Sequence, residues 1–176
     1  MELWDVYSAE GRLTGRTVVR GGNTLRAGEY HLVVHIWPLN DYGSILIQKR
    51  TKTKKMMPGM WAATGGAAIA GETSEKAARR ELGEELGIIA KDGDLKFVKR
   101  IKRRNSFVDV WTVRANVRVP ELKLQKSEVE KAQWVNKATL MGMINSGEFH
   151  DYGKDYFNIV YGLVDEIKAE DNERQD

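Results

Sequence analysis

Between residues 73 and 87 the chain leaves short strand-like runs for a 3.6-residue period, and this stretch constrains everything built around it. Ala77, Ala78, Leu82 and Leu86 recur at helical spacing, Thr73 or Ser74 stands at the N-cap position, and Gly87 follows the last apolar residue. The spacing predicts an amphipathic helix over Thr73–Leu86, whose one apolar stripe must lie on another layer. The same helix carries Glu81, Glu84 and Glu85, with Glu81 three and four residues from the others and so on a shared face with both.

The layer it needs comes from runs rich in β-branched and aromatic residues. Residues 29–39 read as a central strand ended by Pro38, and the turn residues 40–43 lead into a second strand at 44–50, making a hairpin. Further strands are expected at Val6–Tyr7, at Trp61–Thr64 ahead of Gly65-Gly66, at 95–104, at 106–119 and at 129–135. Two more helices are expected, one over 136–144 capped by Asn136 and one over 155–170. Adjacent strand pairs interrupted by helices predict an α/β chain with a mixed sheet sandwiched by helices.

At 176 residues, with no linker or repeat, the chain reads as one domain, with 1–28 as an N-terminal extension and 171–176 as a frayed acidic tail. Cysteine is absent, which excludes disulfides, thiolate zinc sites and thiol nucleophiles. No run of 18 apolar residues and no secretory pattern is found, so no membrane association is expected and the expected compartment is cytoplasmic. The net charge is only +3, yet bases concentrate at 49–55 and 99–104. No RNA-recognition or zinc-finger signature accompanies them, so nucleic acid is not the expected partner.

Like charges at helical spacing repel, by a few tenths of a kcal/mol per pair on a bare helix and by more when buried. One reading of the three glutamates is a solvated acidic face. The other is a site for an oxygen-preferring divalent cation, with Mg²⁺ the common choice where a substrate adds phosphate oxygens. The surroundings favour the second: Gly65-Gly66 and Glu72 precede the helix, and Arg80 can pair with Glu72 or organise the cluster.

The segment Gly66–Ile88 resembles the Nudix box in every defining position, through Gly66, Glu72, Arg80, Glu81, Leu82, Glu84, Glu85, Gly87 and Ile88. A chance match has odds on the order of 10⁻⁸. The resemblance implies a Nudix-type α/β/α sandwich and a hydrolase that splits a diphosphate linkage with Mg²⁺ or Mn²⁺, in a small molecule such as a nucleoside diphosphate derivative. It implies Glu81, Glu84 and Glu85 as metal ligands, Arg80 as their salt-bridge support, Gly66 as close backbone at the metal, and Glu72 as a brace of loop and helix. The general base in such enzymes is a helix glutamate or an acid on a distant loop; Glu128 and Glu130 are loop candidates, and surface charge is their other reading. A homodimer is also implied.

Residues 31–61 are similar to type I isopentenyl-diphosphate isomerase and its hydrolase-like relatives. That isomerase relies on a cysteine that this chain lacks, so the resemblance implies hydrolysis. It further implies the basic residues Arg50, Lys54 and Lys55 as contacts to the substrate diphosphate, Asp109 as a strand carboxylate at the metal, and His31, which resembles a metal-binding histidine of that group, as a substrate-binding candidate. Trp61 can stack on a base, with a place in the core as its other reading. From the residues alone, Asp109 either points to solvent or faces a site. His31 and His35, four residues apart on a strand, are expected on one face, where core histidines are the other reading. A catalytically silent module of the same fold, binding a nucleotide or RNA, is the alternative to the enzyme; the intact glutamates favour the enzyme.

Overall fold

The computed structural model describes residues 2–21 and 25–173. Strands β1 (Leu3–Tyr7) and β2 (Leu13–Val19) form a separate antiparallel hairpin. There follow β3 (His31–Leu39), β4 (Ile45–Arg50), β5 (Trp61–Ala62), β6 (Thr64–Ala67), α1 (Ser74–Leu86), β7 (Leu95–Lys102), β8 (Ser106–Arg114), β9 (Val129–Val135), α2 (Lys137–Asn145) and α3 (Lys154–Glu173). The seven strands from β3 to β9 make one sheet, with the order β5-β4-β3-β8-β7, β6 added to β3 and β9 added to β4. It is mixed, since β3 and β8 run parallel and the other pairs antiparallel.

Strand alternation sorts the core into two layers. Leu32, Val34 and Ile36 of β3, Leu46 of β4 and Phe107 and Trp111 of β8 face Ala77, Ala78, Leu82 and Leu86 of α1. Trp37, Leu39, Ile45, Ile47, Val108 and Val110 face Leu140 and Met143 of α2 and Phe157, Val160 and Val164 of α3. Helix on sheet on helices is the α/β/α sandwich expected. The stripe of α1 is wholly withdrawn from water, and beside it Glu81 and Glu85 also face the sheet, toward β4 and β6.

Several local expectations are corrected. The 40–43 turn joins β3 to β4, but the two share only the Leu39–Ile45 register, because β4 goes on to pair with β9 and β5 while β3 pairs with β6 and β8. Gly65 and Gly66 do not follow a strand; they lie inside β6, opposite His35 and Val34. The polar stretch after Gly11 contains β2, whose pairing with β1 supplies the order its composition does not. The strand starting at Ser106 stops at Arg114, short of 119. Of the tail expected to fray at 171–176, the backbone of 171–173 continues α3, and 174–176 lie outside the described residues. No described helix is long and apolar enough to cross a membrane.

His31 and His35 do not share surroundings. His35 Nδ1 is 2.7 Å from the Tyr156 hydroxyl, which also accepts from Trp37 Nε1 at 2.8 Å, in the layer beneath α3. His31 instead stacks on Trp4 of the hairpin, with ring centroids 4.0 Å apart. Burial, then the positive charge of Arg103, hold His35 at about 3, against an ordinary value of 6.5. As pH falls below 6.5 the unfolded chain therefore takes up a proton that the folded chain refuses, and this part of the stability is lost progressively down to about 3. His35→Gln removes it. The stability difference between wild type and variant should change by roughly 1 kcal/mol per pH unit between pH 6 and 4, read by urea unfolding. A constant difference across that range would refute the assignment.

Candidate active site

The carboxylate cluster is assembled by the two ends of one short connection. Thr73 caps α1 by accepting from Lys76 N, and Gly87, at φ 71°, ends it with its N–H on Gly83 O. Before the cap, Glu72 accepts from Ile69 N at 2.8 Å and from Arg80 Nε and Nη2 at 2.8 and 3.0 Å. Burial pushes the Glu72 carboxyl upward, but the bonds from Arg80 and Ile69 outweigh it, and the net shift is down. Arg80 Nη1 donates to Glu81 at 2.8 Å and Glu84 at 3.1 Å, while Nη2 also donates to Ala67 O at 3.1 Å. Held first by Glu72, the guanidinium is fixed in its charged form.

Glu85 is the deepest of the three, at 3% exposure. Its Oε2 accepts from Gln48 Nε2 at 2.8 Å and from Gly65 N at 3.0 Å. Burial, reinforced by the negative charge of Glu81, pushes it up to about 7 despite those two bonds and the charge of Arg50. Burial likewise pushes Glu81 up, against the opposing pull of Arg80. Glu84 is half exposed. Gly66 lies directly beneath the Glu81 carboxylate, where an added Cβ would stand 2.4 Å from Oε1.

Two adjacent, desolvated carboxylates with an exposed third beside them are short of positive charge. An all-oxygen donor set of this kind fits a hard divalent cation. Among the described residues no three acidic or histidine side chains already stand as a ligand set; the Arg80 guanidinium bridges Glu81 and Glu84 instead. Glu81, Glu84 and Glu85 are the residues able to hold such an ion.

The other sequence candidates divide. Arg50 reaches the site, its charge acting on Glu85, with Nε anchored on Met56 O at 3.1 Å. Lys54 forms an ion pair with Glu128, so one expected substrate contact and one expected base neutralise each other. Glu130 lies 3.9 Å from Lys49, and Lys55 is exposed. Trp61 packs against the α2–α3 layer and bridges to Phe149. Asp109, expected as a metal ligand, is 1% exposed and accepts from Arg100 Nε and Nη2 at 2.6 and 2.8 Å. It is separated from Gly66 by β3, where Val34 pairs with both. The structure thus makes it half of a sheet ion pair rather than a member of the cluster. His31 is buried and held at about 4, by burial and then by Arg20.

One residue of the site escapes a reading of the sequence. Gln48, 1% exposed on β4, orients Glu85; a lone amide ending an apolar strand was its only signal. Gly65, legible in the sequence only as part of a glycine pair ahead of the helix, donates to the same oxygen. A cleft of about 510 Å³ between β7 and the start of α3, lined by Lys99, Arg103, Lys154 and Tyr156 among others, does not include the glutamates.

Comparison with known proteins bears on the chain's family and fold. The family described as "NUDIX domain" matches residues 29–153. The "Uncharacterized Nudix hydrolase lmo0368" of Listeria monocytogenes is 40% identical over 153 residues, covering 86% of this chain and 90% of its own. Among solved structures, DR0079 from Deinococcus radiodurans superposes with a TM-score of 0.76 at 23% identity, over 91% of this chain and 98% of its own. A MutT protein from Methanosarcina mazei Go1 does so with a TM-score of 0.55 at 22% identity, over 78% and 94%.

Proposed function

Because the chain belongs to the Nudix family, whose members it resembles as a hydrolase of phosphoric anhydride bonds, we propose that it cleaves a diphosphate linkage in a nucleoside diphosphate derivative with the help of Mg²⁺ or Mn²⁺. The observation that carries the proposal is the pair of buried carboxylates, Glu81 and Glu85, set against the Gly65-Gly66 backbone and braced by Arg80 and Glu72. A solvated acidic face would not bury two like charges and then build a hydrogen-bonded frame around them.

Glu81, Glu84 and Glu85 would hold the cation, which when bound neutralises diphosphate charge and acidifies a water. The chain's own groups do the rest. Gln48 and Gly65 fix one oxygen of Glu85 and so leave the other to face the site. Arg80 keeps Glu81 and Glu84 converged. Arg50 adds positive charge for the anionic substrate. A helix glutamate takes the proton of the attacking water; Glu128 and Glu130 are less suited, each facing a lysine. The proposal includes the branch resemblance to isomerase-like hydrolases, a cytoplasmic setting and a homodimer, as the sequence leads one to expect.

The test is product release from nucleoside diphosphate derivatives, nucleoside triphosphates and isoprenyl diphosphates in Mg²⁺ or Mn²⁺, with and without chelator. Chelator-sensitive turnover of one class is expected and names the substrate. Folded protein that binds a nucleotide but turns over nothing would point to the silent binding module instead.

A further inference from the structure

The N-terminal hairpin is not a free appendage. Leu3 O accepts from Ala70 N at 2.8 Å and Asp5 Oδ2 accepts from Gly71 N at 2.7 Å, so β1 docks on the connection between β6 and α1. That connection carries Glu72, which fixes Arg80 beside Glu81. Trp4, between the two docking residues, stacks on His31. The hairpin therefore lies along one side of the carboxylate site.

Arg20 sits where this contact ends. It follows Val19, which pairs with Leu3, and its own N–H donates to Glu2 O at 2.9 Å. Among the described residues the side chain is held by Glu2 through Nη1, at 2.9 and 2.8 Å, and it is half exposed. Among the described residues no acceptor takes Nε or Nη2, which can serve an acceptor arriving from solvent. Leu3, paired with the residue before Arg20, is the one bonded to Ala70, two residues ahead of Glu72, so the end of β2 brings Arg20 to the connection that leads into α1.

Of the other cations of the site, Arg50 is held through Nε by Met56 O, and three more are engaged with acidic side chains. Arg80 is shared among Glu72, Glu81, Glu84 and Ala67 O, Lys54 pairs with Glu128, and Lys49 faces Glu130. A substrate that brings phosphate oxygens next to Glu81 and Glu84 meets two negative side chains. It gains most from a planar donor fork on the open side, which suits phosphate in two parallel bonds.

We propose that Arg20, delivered by the N-terminal hairpin from outside the segment that matches the family, is a phosphate-binding residue of the active site. It acts on the terminal or bridging phosphate of a diphosphate-bearing ligand. The assignment rests on the hydrolase reading for its kinetic consequence, but not for its binding consequence.

The experiment compares wild type with Arg20→Ala, Arg20→Lys and Glu2→Gln. Calorimetry gives the affinity for inorganic pyrophosphate in Mg²⁺, and steady-state kinetics follow the best substrate of the panel. Arg20→Ala should weaken pyrophosphate binding and raise KM by about 10-fold or more, with a much smaller change in kcat. Arg20→Lys should recover part of the loss. Glu2→Gln, which frees Arg20, should leave the affinity unchanged or tighter. Unchanged pyrophosphate affinity in a folded Arg20→Ala protein overturns the proposal, as does wild-type protein with no affinity for pyrophosphate. Equal loss of thermal stability in Arg20→Ala and Glu2→Gln with affinity unmoved would show a structural staple, and also overturns it. Arg20-dependent binding without turnover of any substrate would uphold this assignment while removing the hydrolase reading; turnover indifferent to Arg20 would do the reverse.

Discussion

Glu85→Gln should lower kcat by about 10²–10³-fold or more while leaving the protein as stable as wild type, or more so. The two effects have separate physical origins. Both donors to Glu85, Gln48 Nε2 and Gly65 N, converge on one oxygen, Oε2. The glutamine carbonyl can take both of those bonds, so the frame survives. What the variant loses is the second oxygen, replaced by an NH₂ group that donates instead of ligating a cation, together with the negative charge. That charge is costly in the free protein, since burial and Glu81 push Glu85 up to about 7. Removing it above neutral pH relieves the cost, and the thermal midpoint in chelator should hold or rise by a few degrees. A purely structural carboxylate would behave in the opposite way, losing stability and activity together. Thermal unfolding in chelator, set beside kcat in Mg²⁺, separates them. A large fall in the midpoint would contradict the functional assignment of Glu85.

The second large effect is on folding. Gly65 has φ 154°, and a Cβ built on it would lie 2.0 Å from the Val34 carbonyl oxygen and 3.1 Å from His35 Cα. Those atoms are the backbone of β3, the strand flanked by β6 and β8, so no side chain can swing aside. Gly65→Ala should cost about 2–4 kcal/mol and should also turn the Gly65 N–H away from Glu85. Gly66→Ala is the informative comparison, since its Cβ would meet only the end of the Glu81 side chain. It should fold with a smaller loss and be impaired chiefly in activity, because Glu81 must give way. Urea unfolding of the two variants checks the order. Equal stability would mean that β6 has room to move away from β3.

The helix was legible because everything that makes it is local. An N-cap, an apolar stripe and a terminal glycine fall within 15 residues of one another, and α1 runs over Ser74–Leu86 with Thr73 and Gly87 as its caps. The same holds for α2, capped by Asn136. Strand pairing is not local. The turn at 40–43 signals a hairpin, but β4 is claimed by β9 from some 80 residues further along. β2 has a polar sequence and becomes a strand only because β1 lies beside it.

At the site, the spacing of Glu81, Glu84 and Glu85 set out the candidate ligands, because three helical positions fix their relative placement without help from the rest of the chain. It could not rank them. Which carboxylate is buried, which is exposed, and which oxygen is already bonded depend on Gln48 and Gly65, which come from two other strands. Asp109 shows the same limit. Within "SFVDVWTV" an acid can face water, a metal or a partner, and only the register of β7 on β8, which sets Arg100 opposite it, selects the partner.

By itself, then, the sequence determined the layer order, the carboxylate helix and the family, all of which follow from spacing along one segment. Tertiary structure decided the electrostatics: the desolvation of Glu81 and Glu85, the neutralisation of Glu128 by Lys54, and the docking of the charged hairpin on the connection into α1. The reason is that a charge's energy depends on what surrounds it within several ångströms in every direction, and in this fold those surroundings are assembled from strands far apart in the chain.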